Sequence, residues 1–345
     1  MRILSGLVLL LLLAVAGLWI GGETWLAGRI MREAEANPGL QVAATDPMRR
    51  IDRIGVRLDE ASYQNPRFSL ALPWLELWIA PLSLTTAQAG LPDQAMLRHY
   101  GRDHALGVAN GALSLRLAPL HGGAVARASV DSGPVTLDAQ GLADRIALSA
   151  AMTGLGPFAP AKARSAYDMQ LGLQGIDPDA LVALGMPSLA LPGKVSIAGP
   201  ATVWLNGIVG PRSLDAPAQS VWPVGIRSTG VDMRIGELRA RLAGFLWRGD
   251  HGRIEGRLAI YTDDASALLR QASDAGLIAS DAAMLVSALL NGIGRMPFPD
   301  GVRDDGLSLP EPAEGELRLP VTMKDGRLFL GDIEIGAAPL FPLPQ

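Results

Sequence analysis

The sequence predicts a mainly β, α+β protein: an elongated antiparallel sheet or partly closed barrel with a few short helices, behind an N-terminal transmembrane helix. Three observations carry this. Residues 3–20 are uncharged and almost wholly apolar. Segment after segment then alternates apolar and polar residues with a period of two, which places successive side chains on opposite faces of a strand. Turn chemistry punctuates these segments, most clearly at Asp325-Gly326.

At ~1.5 Å per residue the run from Ile3 to Ile20 makes a helix of about 27 Å, close to the hydrocarbon thickness of a bilayer. Arg2 and the α-amino group precede it and favour a cytoplasmic N-terminus. The expectation is a signal-anchor over residues 1–22, single-pass in a cell inner membrane, with the main domain periplasmic. A cleaved signal peptide is the alternative, because Ala14-Val15-Ala16 offers a small-x-small site. Residues 23–50 read as a membrane-proximal helix and linker, the helix running from Glu23 to Ala36 and ending near Asn37-Pro38-Gly39.

Residues 51–345 read as one β-rich region, dividing near 210–225 if its halves are similar. Ile54, Val56 and Leu58 alternate with polar neighbours. Phe68, Leu70 and Leu72 do the same before Pro73 interrupts, and Leu75, Leu77 and Ile79 resume. Further segments follow at Leu113–Leu117, Val135–Leu137 and Leu171–Leu173, with a pair at Val195–Ile197 and Val203–Leu205. The C-terminal half is clearest, with strands around Val231–Ile235, Leu238–Leu242, Ile254–Ile260, Leu317–Met323 and Leu328–Leu330. Asp325-Gly326 suits a type I′ hairpin, whose two central residues need positive φ. Asp177-Pro178-Asp179 starts one short helix with an N-cap and a proline at the first helical position. Thr262-Asp263-Asp264 starts a second, and residues 280–290 suit a third.

Composition bounds the function. A net charge of −4 gives no support for nucleic-acid binding. The lack of cysteine excludes a disulfide scaffold and thiol catalysis. The four histidines, His99, His104, His121 and His251, match no metal motif, and His99 and His104 read as exposed loop residues. No Gly-x-Ser-x-Gly elbow and no phosphate-loop lysine motif occurs. No catalytic residue, metal site or cofactor is expected, and the protein reads as a non-enzyme. Arg239, Arg241, Arg253 and Arg257 fall on polar strand faces beside Glu237 and Glu255, which suggests ordinary charge pairing.

Gly21-Gly22-Glu23-Thr24-Trp25, Gly315-Glu316-Leu317-Arg318-Leu319-Pro320, Lys324 to Gly331 and Ile335 to Pro339 together resemble domain-of-unknown-function family 2125 of alphaproteobacterial envelope proteins. Tyr63 to Phe68 is a variant of a Gly-Tyr/Phe-Pro-x-Arg-Phe pattern in that family, without the leading glycine. The C-terminal strand–turn–strand is also similar to AsmA-like proteins. These resemblances imply a periplasmic role in envelope maintenance. Partners would be the inner membrane, phospholipid or another apolar ligand, or an envelope protein complex. The apolar face that would hold such a ligand comprises Val231, Met233, Ile235, Leu238, Leu242, Leu258, Ile260, Leu317, Leu319, Leu328 and Leu330; the same residue types also suit a filled core. A non-enzymatic scaffold or assembly factor for a membrane complex is the alternative function, and an unrecognised envelope hydrolase the second.

Overall fold

A computed structural model describes residues 23–32, 34–35, 39–48, 50, 52–64, 68–80, 83–119, 122–186, 188, 191–210, 221–249, 251–274, 292, 298 and 306–341. The chain folds as two compact units. One comprises residues 1–119 and 128–141, the other residues 120–127 and 142–345.

The first unit starts with helix α1 (residues 23–32). Glu23 is 1% exposed, and its carboxylate accepts the backbone N–H of Gly55 at 3.0 Å. Leu26, Ala27 and Ile30 follow at helical spacing and pack on Val56, Leu58 and Ala61. Strands β1 (Leu40–Gln41) and β2 (Ala44–Pro47) pair with β3 (Ile54–Gln64), which pairs in turn with β4 (Phe68–Ala80). Pro73 does not end β4. The β3–β4 ladder steps from the Asp59–Trp74 pair to the Ala61–Leu72 pair, leaving Glu60 at φ 51° opposite the proline. On its other edge β4 changes partner at the same place. Residues 68–71 pair with β6 (Gln94–His99), and residues 76–80 with β5 (Ser83–Gly90). Pro73 thus sits where no ladder needs its missing N–H. Strand β7 (Arg102–Val108) pairs with β6, and β8 (Ala112–Ala118) with β5. After β9 (Ala124–Ser132), β10 (Val135–Leu137) pairs with β7, and β11 (Gln140–Ala143) follows.

The second unit is an antiparallel meander. In chain order β12 (Arg145–Thr153), β13 (Ser165–Ile176), β14 (Val195–Leu205), β15 (Pro223–Ile235), β16 (Leu238–Arg248), β17 (Ile254–Thr262), β18 (Leu317–Lys324), β19 (Arg327–Leu330) and β20 (Ile333–Ala337) each pair with the next. Helix α2 (Pro178–Val182) joins β13 to β14, and Asp177 caps it by accepting the N–H of Asp179. Helix α3 (Ala265–Asp274) follows β17. Asp325 and Gly326 both have positive φ, 52° and 74°, as the type I′ reading requires.

Strand β14 runs unbroken where the sequence suggested two segments. The β14–β15 ladder skips from the Ala198–Asp232 pair to the Thr202–Arg227 pair, so Pro200 again lies at a gap. Its carbonyl accepts a hydrogen bond from the Ser228 hydroxyl at 2.7 Å.

Around β16 and β17 the meander is covered on both faces. On one, α3 lays Ala265 and Leu269 over Leu319, Val321, Met323, Leu330 and Ile335. On the other, Phe245 stacks between Trp204 and Trp247, with ring centroids 5.3 Å and 5.1 Å away. Beside them Ala243, Ala259 and Tyr261 are fully buried, with Phe298 and Leu309 packed on them.

The spanning helix expected over residues 1–22 lies outside the described residues, and no helix among the described residues is long and apolar enough to cross a membrane. The architecture is therefore a mostly β fold with few short helices, and no described helix supports the expected inner-membrane, single-pass topology. The partly closed barrel also gives way: among the described residues no pairing joins β12 to β20, so the meander is an open ladder. Finally, His99 and His104 lie on strands, not in a loop, and His104 is 6% exposed. Their turn is only Tyr100-Gly101, at φ 46° and 77°. The expected third helix and much of the interval 210–225 lie outside the described residues.

Candidate functional site

The candidate site is a groove of about 960 Å³ on the second unit. Strands β14, β15 and β16 build its floor, and residues 313–316 form one wall. Register dictates its chemistry, because directly opposed residues of an antiparallel ladder share a face. Ser196 pairs with Arg234, and Arg234 with Arg239, giving one row across three strands. The adjacent row runs Ala198, Asp232, Arg241, Tyr261.

A bulge shapes one rim. Register shifts in β13 between Leu173 and Ile176, where Gly175 has φ 61°. The Asp144 carboxylate lies directly against Gly175, leaving no room for a side chain there. Asp144 pairs with the Lys194 ammonium at 2.7 Å. The N–H of Gly175 donates to the Ser196 hydroxyl oxygen at 3.0 Å, so the serine's own proton remains to be donated. At another rim the β15–β16 turn contains Gly236, at φ 56°. A Cβ there would come within 2.5 Å of the Pro192 carbonyl oxygen.

The third rim is an extended segment, residues 306–316, laid along the sheet. Arg227 donates to the Gly306 carbonyl at 3.2 Å, Arg257 to the Leu307 carbonyl at 3.1 Å, and Tyr261 to the Pro310 carbonyl at 2.6 Å. Arg241 closes the series with an ion pair to Glu316 at 2.7 Å while lying 4.7 Å over the Tyr261 ring. Burial pushes the Tyr261 hydroxyl above the usual tyrosine pKa.

Arg241 and Arg257 are thus engaged by a distant stretch of chain, and Arg253 donates to the Ala338 carbonyl. The expected pairing with Glu237 and Glu255 is not what engages them. Sequence periodicity could not foresee this, since the partner of Arg241 lies 75 residues away. The groove keeps Arg234, Arg239, Asp232, Asp263 and Glu314 exposed. Its described lining contains no histidine, and no cluster of potential metal ligands occurs among the described residues.

The expected apolar groove does not form a single site. Leu258, Ile260, Leu317, Leu319, Leu328 and Leu330 all belong to the core under α3. Val231 is buried opposite Leu242 in the β15–β16 ladder; Ile235, Leu238 and Leu242 are half-buried. Only Met233 of the eleven lines the groove, among charged neighbours. The lipid-holding function and the apolar ligand are therefore corrected: most of that face is filled by α3, and the open groove carries charged side chains of both signs. Nothing among the described residues supports the inner membrane or a membrane complex as the expected partners.

In the first unit His104 shows how burial alters a polar residue. Its Nδ1 lies 2.7 Å from Oδ2 of Asp138, whose other oxygen accepts the N–H of Ala105. The His104 hydrogen bond, then that of Ala105, holds the Asp138 carboxyl below the usual aspartate pKa. Nε2 of His104 is buried without a partner among the described residues.

Fold and groove together define a class: a mostly β protein with an antiparallel meander that presents a charged, open groove. The chain belongs to family DUF2125, described as an uncharacterized protein conserved in bacteria, whose model matches residues 53–339. No curated protein and no solved structure matches it.

Proposed function

We propose that the protein is a non-catalytic binding protein whose second unit receives a soluble polar ligand in the groove over β14–β16. The observation that carries this reading is the exposed set of both charge signs, Arg234 and Arg239 with Asp232, Asp263 and Glu314, around one concavity. A concave site with a few convergent polar groups is the usual form of a ligand pocket. The rims support it: Asp144 packs against the bulge at Gly175, and Gly236 lets the β15–β16 turn approach the Pro192 carbonyl closely. The groove's serine lies beside two arginines in register, an environment that recognises anions.

Native mass spectrometry of the full chain after exposure to a small-molecule extract tests the reading. Ala313→Trp fills the groove from an exposed wall position without entering the core. The expected result is a stoichiometric adduct on the wild type that is lost in Ala313→Trp. No adduct, or one unaffected by the substitution, refutes the reading.

A further inference from the structure

Arg234 and Arg239 stand directly opposite each other on neighbouring strands. Cβ atoms of such a pair lie about 4.5–5.5 Å apart, and like charges there are destabilising. Carboxylates stand in the same groove, yet none forms an ion pair with either arginine among the described residues. Lys194 and Arg241 are engaged by Asp144 and Glu316, whereas neither Arg234 nor Arg239 makes a side-chain hydrogen bond or ion pair among the described residues. Asp232 lies two residues from Arg234 on the same face and forms no ion pair with either arginine. A like-charge pair held in register without an ion pair is the kind of local conflict found at functional sites.

We infer that Arg234, Arg239 and Ser196 form a subsite for the phosphoryl group of the groove's ligand. Each guanidinium presents a planar fork of donors suited to two oxygens. A carboxylate has only two oxygens and is satisfied by one fork, while a phosphoryl group offers three and can bridge both. Ser196 adds a hydroxyl donor from the same row, its oxygen already held by the Gly175 N–H. Binding a dianion would also cancel the repulsion between the arginines, so ligand affinity and fold stability are coupled here.

This inference rests on the groove reading and names its ligand chemistry. The test is a thermal-melting and NMR titration of the full chain at low ionic strength with inorganic phosphate, phenyl phosphate and acetate. Wild type, Arg234→Gln, Arg239→Gln and the control Arg102→Gln, an exposed position in the first unit, are compared. Both phosphates should raise the wild-type melting temperature and shift β14–β16 resonances saturably, with acetate at least tenfold weaker. Arg234→Gln and Arg239→Gln should each weaken phosphate at least tenfold and, without phosphate, melt at or above the wild-type temperature. Arg102→Gln should behave as wild type. Tighter binding of phenyl phosphate than of inorganic phosphate identifies a phosphate ester as the source; equal binding identifies free phosphate. Absence of a phosphate effect, or one undiminished in both groove variants, overturns the inference. If an adduct sensitive to Ala313→Trp persists in that case, only the phosphoryl assignment falls and the groove reading stands.

Discussion

Tyr261 donates its hydroxyl to the carbonyl oxygen of Pro310 across 2.6 Å, joining β17 to a segment with no regular secondary structure. The ring is fully buried, so the bond forms away from competing water. It lies midway along a series of contacts from Arg227 to Arg241 that hold residues 306–316 on the sheet. That segment supplies the groove wall at residues 313–316.

Tyr261→Phe should keep the ring packing and lose the hydrogen bond, leaving the Pro310 carbonyl without this donor. A loss of about 1 kcal/mol is expected. Hydrogen exchange at residues 306–316 should quicken while β18 keeps its protection. Unchanged exchange there would show that the tyrosine does not hold the wall.

The groove depends on the same strap through Arg241 and Glu316. Glu316→Gln removes the charge from a half-buried partner and should cost about 1 kcal/mol or less, since a neutral hydrogen bond can remain. Glu316→Ala should cost more and open the wall to limited proteolysis. Equal protease resistance in both variants would count against the ion pair as the latch.

Acid should weaken the first unit through Asp138. Its folded pKa lies below the unfolded value, so its contribution is fully present above the ordinary aspartate range near about 3.9. That contribution is lost as pH falls through the lower folded pKa. Asp138→Asn should therefore flatten the acid limb of stability measured by urea unfolding from pH 6 down to about 2. An identical acid limb in both proteins would show that His104 does not stabilise the carboxylate.

Core positions should separate by burial. Leu319 is 1% exposed under α3, and Leu319→Ala should cost about 2–5 kcal/mol through lost transfer energy and a residual cavity. Leu238, half-buried at the β15–β16 turn, should cost less when truncated. Chemical denaturation of the two variants checks the order.

Glu23→Ala should cost about 1–3 kcal/mol, because the buried Gly55 N–H loses its acceptor. Glu23→Gln keeps an acceptor oxygen and should recover part of that loss. Circular dichroism with urea unfolding distinguishes them.

Much of the fold was legible because strand period and turn chemistry act locally. The Asp325-Gly326 hairpin, the Asp177 cap and the alternation of Val231, Met233 and Ile235 each depend on neighbours a few residues away. Pro73, read as an interruption, and the division of β14 into two segments either side of Pro200 misled for the same reason. Whether a proline breaks a strand depends on the partner ladders, and both prolines lie where a ladder skips. The candidate site was less legible. Arg239 and Arg241 stood out in the sequence, but only register sets Arg239 against Arg234, and only the distant Glu316 engages Arg241.

The sequence by itself determined a β-rich chain, its principal strands, its capped short helices and its family. Those properties follow from local backbone preferences and from side-chain alternation, which any stretch of chain carries with it. Tertiary structure alone decided which apolar residues fill the core, that β16 and β17 are covered on both faces, and that charged residues of β15 and β16 border one groove. Each of these depends on contacts between segments far apart in the chain, and a period of two is the same whether a strand's second face meets water, a helix or a strap.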